Sequence, residues 1–524
     1  MRNKTDSYER SKMKSREAES LRAEDLKADS PKASAKKSRN VLGIIFLTLQ
    51  FAASVAFGLI LARLNVLSNT FLAAILIILA LLFLFTLVTQ FFRSGRVVGK
   101  VFSILISIVL VIGSLFLYKT SATLDKVSSG SAITVQETHM AFLVMKDSSA
   151  TGQQDLNGRS IGILTSQDRD LSVQSVDDLN AKLTTAAIPV TYDSTQTLIT
   201  ALYDGSVDCI VLNEALRPLI VENLKPNFNE ETRVLDTFKI EQTITKAPAP
   251  QEDSKTEEVK ADQGSFNVYL SGNDAYGEVS LDSGRSDVNI IATINPTTHT
   301  ILLTTTPRDF YVPLVFSPTE GGTDAYRDKL THAGVYGMRC SMYTLENVYG
   351  ITLDYYARVN FTGFKDIINA LGGIDVNSQY AFSTGKYSYS EGINHLDGDQ
   401  ALAFARERHA FNDGDFQRGR NQMEVIKAMA DKIMSPAILP NFMTLMDQLS
   451  YCFLTDVPRD TITDLVKAQL SDNQSWTILT NEVGGTTGSG YSYAMGTDLS
   501  MVFPDATSVE DAKNKIQQVL NGQR

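Results

Sequence analysis

This chain of 524 residues is poor in the side chains that build disulfide or soft-metal sites. Its 3 cysteines, Cys209, Cys340 and Cys452, allow at most one internal disulfide, and their spacings match neither a CxxC pair nor a zinc pattern. Cys209 sits in an apolar run, which predicts a buried free thiol. There are 5 histidines, and His332, His395 and His409 are too scattered to share a metal, so they are read as structural. The most telling scarcity is of acid. No Asp or Glu occurs between residues 41 and 124, although the whole chain has 59 acidic residues against 48 basic ones. The first 40 residues have 12 basic and 7 acidic side chains and residues 41–124 have 5 basic ones, so by difference residues 125–524 carry a net charge of −21. A chain that confines its acid to one end is built for two compartments with a membrane between them, which excludes a simple cytosolic enzyme.

The acid-free stretch holds three uncharged, mostly apolar runs, at 41–62, 64–92 and 101–118. About 20 such residues span a hydrocarbon core, so three transmembrane helices are predicted within 41–119. The first run is too long for the apolar core of a cleavable signal peptide and is followed by two more, so the protein is expected to stay anchored. Lys32, Lys36, Lys37 and Arg39 precede the first run, and Arg93, Arg96 and Lys100 separate the second from the third. This bias predicts a multi-pass protein of the cell membrane with a cytoplasmic N-terminus and an exterior beyond about residue 119. Residues 1–40 form a basic tail, too short and polar for a helix-turn-helix, so nucleic acid is not an expected partner.

Beyond the membrane, residues 131–245 alternate short apolar strands (161–164, 188–190, 209–212) with helical stretches (175–183, 197–203), the pattern of a small α/β accessory domain. It resembles one lobe of a solute-binding protein; a spacer or docking role is the alternative. Residues 246–264, with Pro248, Pro250 and mixed charges, read as a linker. Strands expected at 266–272, 288–294, 300–305 and 476–479, with helices at 338–349, 364–371, 400–404 and 418–434, make 265–524 an α/β (α+β) domain with a mixed central sheet flanked by helices.

That domain carries a polar constellation. Arg285, Asp287 and Asn289 are expected on one strand face, since side chains alternate with period two. Arg406 and Arg408 are co-facial if 402–409 is extended. Asp415, Arg418 and Gln422, spaced i, i+3, i+7, share one side of a helix. Arginines 285, 308, 406, 408 and 418 thus gather among strand ends in an acidic exterior, and the planar guanidinium suits phosphate. Asp274 and Asp287 have no His or Cys companions, so a hard ion such as Mg2+, or alternatively Mn2+, suits them. Surface Arg–Asp pairs without chemistry remain the competing reading.

Seven ordered motifs then carry a resemblance: Gly284-Arg285-Ser286-Asp287, Asn295-Pro296, Pro307-Arg308-Asp309, Lys329-Leu330-Thr331-His332-Ala333, Val359-Asn360-Phe361, Ala370-Leu371-Gly372-Gly373-Ile374-Asp375-Val376, and Leu402 to Arg408 followed by Gly414-Asp415-Phe416-Gln417-Arg418. In this order they are similar to the LytR-CpsA-Psr family, and the three-helix anchor with an accessory domain resembles its capsule-locus CpsA branch in Gram-positive bacteria. Two positions depart from the family pattern: Gly337-Met338 stands for a double glycine, and Arg420-Asn421-Gln422 for Arg-Gln-Gln.

The resemblance implies a membrane-bound, Mg2+-dependent phosphotransferase. It would move capsular polysaccharide or a related glycopolymer from a polyprenyl-pyrophosphate carrier onto peptidoglycan, with other capsule-synthesis proteins as further partners. Asp274 and Asp287 would hold the metal. Arg285, Arg308, Lys329, Arg406, Arg408 and Gln422 would clamp the pyrophosphate, while Arg308, Asp415 and Arg418 would serve catalysis. Phe361, Phe364, Ile367, Ile368 and Leu371 are candidates either for a lipid channel or for plain core. Ser286 has no histidine in a recognisable relation to it, so a hydrogen-bonding role at a strand end is expected. The competing function is a regulator, a transcriptional attenuator of capsule or exopolysaccharide synthesis that binds the lipid-linked sugar without turnover.

Overall fold

The computed structural model describes residues 32–89, 96–128, 133–165, 169–245, 264–273, 284–319, 321–434, 441–472 and 474–523. Most of the predicted tail, nearly all of the linker, and Asp274 lie outside these residues. The chain divides into two compact units, Met1–Tyr118 and Lys119–Arg524.

The apolar runs form helices α1 (Lys32–Leu64), α2 (Asn69–Thr89) and α3 (Arg96–Val127), the last of which continues past the first unit's end at Tyr118. Each contains a stretch long and apolar enough to cross a membrane, by length and composition. Leu59, Ile77 and Val109 are among many large apolar side chains left exposed on these helices, as a lipid-facing surface requires. Two polar contacts join the helices: Thr86 Oγ1 donates to Gln50 Oε1 at 2.8 Å and Ser103 Oγ to the Phe46 carbonyl at 2.9 Å. The second helix starts five residues later than its apolar run because Asn65 takes a positive φ of 55°, which breaks the helix before Asn69.

The second unit contains two large sheets and several two-stranded ones. The first is built from β1 (Ile133–Met145), β2 (Ser160–Leu164), β3 (Ile188–Tyr192), β4 (Cys209–Asn213) and β5 (Thr232–Thr245), in the order β3-β2-β4-β1-β5. Helices α4 (Arg169–Asn180), α5 (Thr195–Tyr203) and α6 (Arg217–Asn223) connect them. Cys209 is fully buried there as a free thiol, its ionisation pushed well up by burial. The long antiparallel pair β1–β5 runs from Ile133 opposite Thr245 to Met145 opposite Thr232 with a bulge at Phe142/Leu143, and it is an element the sequence pattern did not predict.

The second sheet uses β6 (Phe266–Asn273), β7 (Val288–Asn295), β8 (Thr300–Thr305), β11 (Tyr355–Asn360), β14 (Phe453–Thr455) and β15 (Thr477–Glu482), in the order β14-β11-β6-β7-β8-β15. Strand β6 runs parallel to β11 and β8 parallel to β15, while β6–β7 and β7–β8 are antiparallel. The period-two pleat divides the core. Tyr269, Ile291, Leu302 and Tyr356 face helices α7 (Met338–Tyr349) and α13 (Ala506–Leu520). Val268, Ile290, Leu303 and Ala357 face α10 (Asp415–Met434) and α12 (Arg459–Asp472). Short strands β9 (Tyr311–Pro313) and β10 (Arg327–Lys329) pair beside the sheet, and the hairpin β16 (Gly485–Ser492) and β17 (Thr497–Pro504) follows it.

A third cluster joins α8 (Phe361–Ala370), α9 (Gly398–Arg406), α10 and α11 (Phe442–Cys452) with the two-stranded sheet β12 (Ile374–Ser378) and β13 (Gly392–Leu396). Ile367, Ile368 and Leu371 are buried in it and Phe364 packs against it, so these four serve as core.

Candidate active site

Topology brings the chemistry to one edge. The C-terminal ends of β6, β8, β11 and β15 and the start of the antiparallel β7 all point the same way, so Asn273, Asp287, Thr305, Asn360 and Glu482 lie along a single rim of the sheet. Crevices beyond the carboxyl ends of parallel strands are common binding sites in α/β sheets. A small pocket opens at this rim, lined by Asp287, Arg308, Asp415, Arg418, Gln422 and Glu482 together with Thr305 to Pro307.

Arg308 is the hub. It leaves the end of β8 through Pro307, is 9% exposed, and donates from Nη1 to Asp287 Oδ1 at 2.9 Å. Its Nε lies 3.7 Å from Asp309 Oδ1, which Lys329 Nζ approaches at 3.2 Å. Thr331 Oγ1 adds a donor to Asp287 Oδ1 at 3.2 Å. Burial alone would raise both carboxyls. Arg308 and Arg285 instead hold Asp287 below the usual carboxylate range, and Lys329 and Arg308 do the same for Asp309. Both are therefore ionised at neutral pH. Burial tends to lower Arg308's own ionisation, but the facing carboxylates push it further up. Asp309 was not singled out from the sequence as a site residue; its place directly after Arg308 was the available signal.

Helix α10 supplies the opposite wall. Asp415 starts it, and Arg418 one turn later pairs back to Asp415, so the i, i+3, i+7 spacing does place Asp415, Arg418 and Gln422 on the pocket together. The acidic side chain also suits the positive end of the helix dipole. Arg418 is the one guanidinium here whose ionisation is pulled down, first by burial and then by Arg308. Gln422 Nε2 reaches the Ala405 carbonyl at 3.3 Å. The departure at Asn421 has a structural cause: its side chain points inward, donating to the Phe404 carbonyl and accepting from Gln417, where no pocket contact is made.

Two local expectations fail. Strand β7 begins at Val288, so Arg285 and Asp287 lie in the preceding loop and do not share a strand face with Asn289, which is buried and accepts from Tyr269 OH at 2.6 Å. The loop is fixed otherwise: Asp287 N donates to the Gly272 carbonyl and Gly284 N to Gly334. A Cβ on Gly334 would stand 2.4 Å from the Gly284 carbonyl oxygen, so only glycine permits this approach. Second, 402–406 is helical, the end of α9, so Arg406 and Arg408 are not co-facial on an extended segment. Arg406 lies over the Phe361 ring at 4.3 Å, and Arg408 Nε meets His409 Nε2 at 3.4 Å. Phe361 is thus a platform for a guanidinium. The helix wins because Asp397 and Gln400 form a capping box ahead of the apolar stripe.

Ser286 is fully buried and its Oγ meets Ser271 Oγ at 3.2 Å. His332 is buried against Asp328 at 2.8 Å, and Asp328 also receives Ser492 Oγ and Ala494 N. That network anchors Lys329, the next residue, at the pocket rim. His395 pairs with Asp375 at 2.7 Å. Gly337, at φ 108°, caps α7, and the Met338 beside it fills core space. Three further charged residues escaped the sequence reading. Glu482 lines the pocket and binds Arg420 at 2.7 Å. Arg358 is fully buried at the same end of β11, in register with Ser271. Glu222, from α6, contacts Arg285 at 2.5 Å. Among the described residues no group of three or more His, Cys, Asp or Glu converges as a metal cage, and of the two expected ligands only Asp287 is described: an ionised carboxylate at the pocket, of the hard-oxygen type that Mg2+ takes.

Residues 234–518 match the model of the LytR_cpsA_psr family. A polyisoprenyl-teichoic acid–peptidoglycan teichoic acid transferase TagU of Enterococcus faecalis is 35% identical over 196 residues, 37% of this chain and 62% of that protein. The protein of the same name from Oceanobacillus iheyensis is 31% identical over 278 residues, covering 52% of this chain and 83% of its own. Among solved structures, B. subtilis TagV aligns at 28% identity and a TM-score of 0.41, covering 49% of this chain and 97% of TagV. With more than half of its length matched by the family model, this chain is a member of the LytR_cpsA_psr family.

Proposed function

We propose that this protein is a membrane-anchored phosphotransferase that moves a glycopolymer from a polyprenyl-pyrophosphate carrier to a peptidoglycan hydroxyl. The observation that carries this reading is the buried set Arg308, Arg418 and Lys329, interleaved with Asp287, Asp309 and Asp415 at the strand ends, where Asp287, Arg308, Asp415 and Arg418 line a small pocket. The names of the TagU relatives support the same reaction class. Capsular polysaccharide is the proposed cargo, on the strength of the three-helix anchor and accessory domain, and the proposed topology places residues beyond about 119 outside the cell.

In this reaction the acceptor hydroxyl oxygen bonds to the glycan-bearing phosphorus. The bond from that phosphorus to the bridging oxygen breaks, and polyprenyl phosphate leaves with its electron pair. Arg308, fixed by Asp287, and Arg418, fixed by Asp415, hold the phosphate oxygens where charge develops, in a site whose donors are oriented before the substrate arrives. Arg285 and Lys329 bind the outer phosphate, Gln422 lines the pocket, and Arg406 and Arg408 would add positive charge for the carrier. Asp415 is the proposed acceptor of the hydroxyl proton. A Mg2+ or Mn2+ ion, held by Asp287 with Asp274, would neutralise phosphate charge.

The test is reconstitution of the full chain in micelles with a polyprenyl-pyrophosphate oligosaccharide and peptidoglycan fragments, with and without Mg2+, following polyprenyl phosphate. Metal-dependent release together with a new phosphodiester is expected. Binding without any turnover would favour the regulatory alternative.

A further inference from the structure

The accessory sheet shares a core with a turn and a hairpin of the catalytic domain. Leu216, Leu219 and Ile220 of the α6 region pack in one cluster with Val335, Ala494 and Met495. The seam is also hydrogen-bonded: Gln196 N donates to the Met495 carbonyl at 3.0 Å, and Thr195 Oγ1 to the Ala494 carbonyl at 2.5 Å. This seam points the last turn of α6 at the arginines. Glu222 Oε2 lies 2.5 Å from Arg285 Nη1, and its Oε1 lies 3.8 Å from Arg308 Nη2. A carboxylate bridging two arginines occupies the position that a phosphate oxygen would take.

Charge and exposure show which partner yields. Arg285 is 14% exposed and Arg308 9%, the latter gripped on its far side by Asp287; Glu222 is 41% exposed. Its side chain can swing into water without breaking the apolar seam beneath it. Each of Arg285, Arg308, Lys329 and Arg418 already faces a carboxylate, from Glu222, Asp287, Asp309 and Asp415 respectively. A carboxylate held on the arginines competes with an incoming polyanion, and release of Glu222 uncovers positive charge where the anion must land.

We infer that Glu222, supplied by the accessory domain, is a displaceable counter-anion of the arginine site and sets how tightly this protein holds a substrate phosphate. The inference deepens the proposed function, since it assumes that Arg285 and Arg308 bind the phosphates. It gives the accessory domain a part in the active site. Glu222 competes with the donor for the arginines, so weakly charged or monophosphate ligands are excluded while a pyrophosphate, with more charge to offer, displaces it.

The experiment is calorimetric titration of the full chain in micelles with inorganic pyrophosphate at fixed Mg2+, comparing wild type, Glu222→Gln, Glu222→Ala and Arg308→Ala. Both Glu222 variants should bind roughly three- to tenfold tighter, the range expected for removing one partly exposed competing charge. They should also lower the donor KM by a similar factor. Equal or weaker binding by Glu222→Gln, with wild-type binding still lost in Arg308→Ala, would overturn the counter-anion role while leaving the phosphotransferase reading intact. If wild type fails to bind pyrophosphate and Arg308→Ala behaves no differently, the anion site itself is refuted and the inference falls with it. Thermal melting of each variant verifies folding, and the Gln variant preserves side-chain size should the Ala variant be unstable.

Discussion

Arg308→Lys separates chemistry from scaffolding better than any other single change. In Arg308→Ala, two mostly covered carboxylates lose the buried guanidinium that lies 2.9 Å from Asp287 and 3.7 Å from Asp309. Breaking a buried pair in this way costs about 3–5 kcal/mol. A typical domain has roughly 5–15 kcal/mol in total, so lost activity in that variant would be confounded with unfolding. Lysine keeps the charge near Asp287 and Asp309, but its single ammonium cannot hold Asp287 and a phosphate oxygen in a fixed fork. The stability loss should be on the order of 1–2 kcal/mol. If Arg308 acts chiefly on developing charge, kcat should fall about 100-fold, close to 2.7 kcal/mol of transition-state stabilisation. Affinity for inorganic pyrophosphate should change by less than roughly threefold, because the charge remains. The assay is polyprenyl phosphate release at saturating donor, set beside calorimetric titration. An unchanged kcat with a donor KM raised as much as the dissociation constant would refute the reasoning and make Arg308 a ground-state binder.

Three further outcomes follow from the packing and the charges. Gly334→Ala forces a Cβ to 2.4 Å from the Gly284 carbonyl oxygen and 2.8 Å from Ser286 N, so the 284–287 loop must shift; roughly 2–4 kcal/mol of stability and most activity should be lost, and a near-wild-type melting curve would contradict the observed approach. Ile220→Ala, at a fully buried position of the shared core, should cost about 2–5 kcal/mol and lower one common melting transition; a split in which only part of the protein melts early would show that the two sheets do not stabilise each other. Asp287 and Asp309 have folded values below their ordinary range, so the stability they add is present above about pH 4 and lost as pH falls through the lower folded values. Melting temperature should therefore drop more steeply as pH falls below about 4 in wild type than in Asp309→Asn, and parallel curves would rule out that contribution.

The sequence alone determined whatever depends on local periodicity. Apolar runs of about 20 residues, free of acid, can only be membrane helices or deeply buried ones, and they form helices α1 to α3. Alternation specified β6, β7 and β8, and the i, i+3, i+7 spacing placed Asp415, Arg418 and Gln422 on one helix face at the pocket. Local pattern failed where two states compete for the same residues. The 402–406 segment became helix through its capping box, and Arg285 fell short of a strand that starts at Val288. What tertiary structure alone decided is which charges meet. Lys329 finds Asp309 through the β9–β10 pairing, Glu482 arrives with the last strand of the sheet, and Glu222 reaches Arg285 across 63 residues. Such contacts are set by how sheets and helices bury their apolar faces, and the polar side chains on the opposite faces go where that packing carries them.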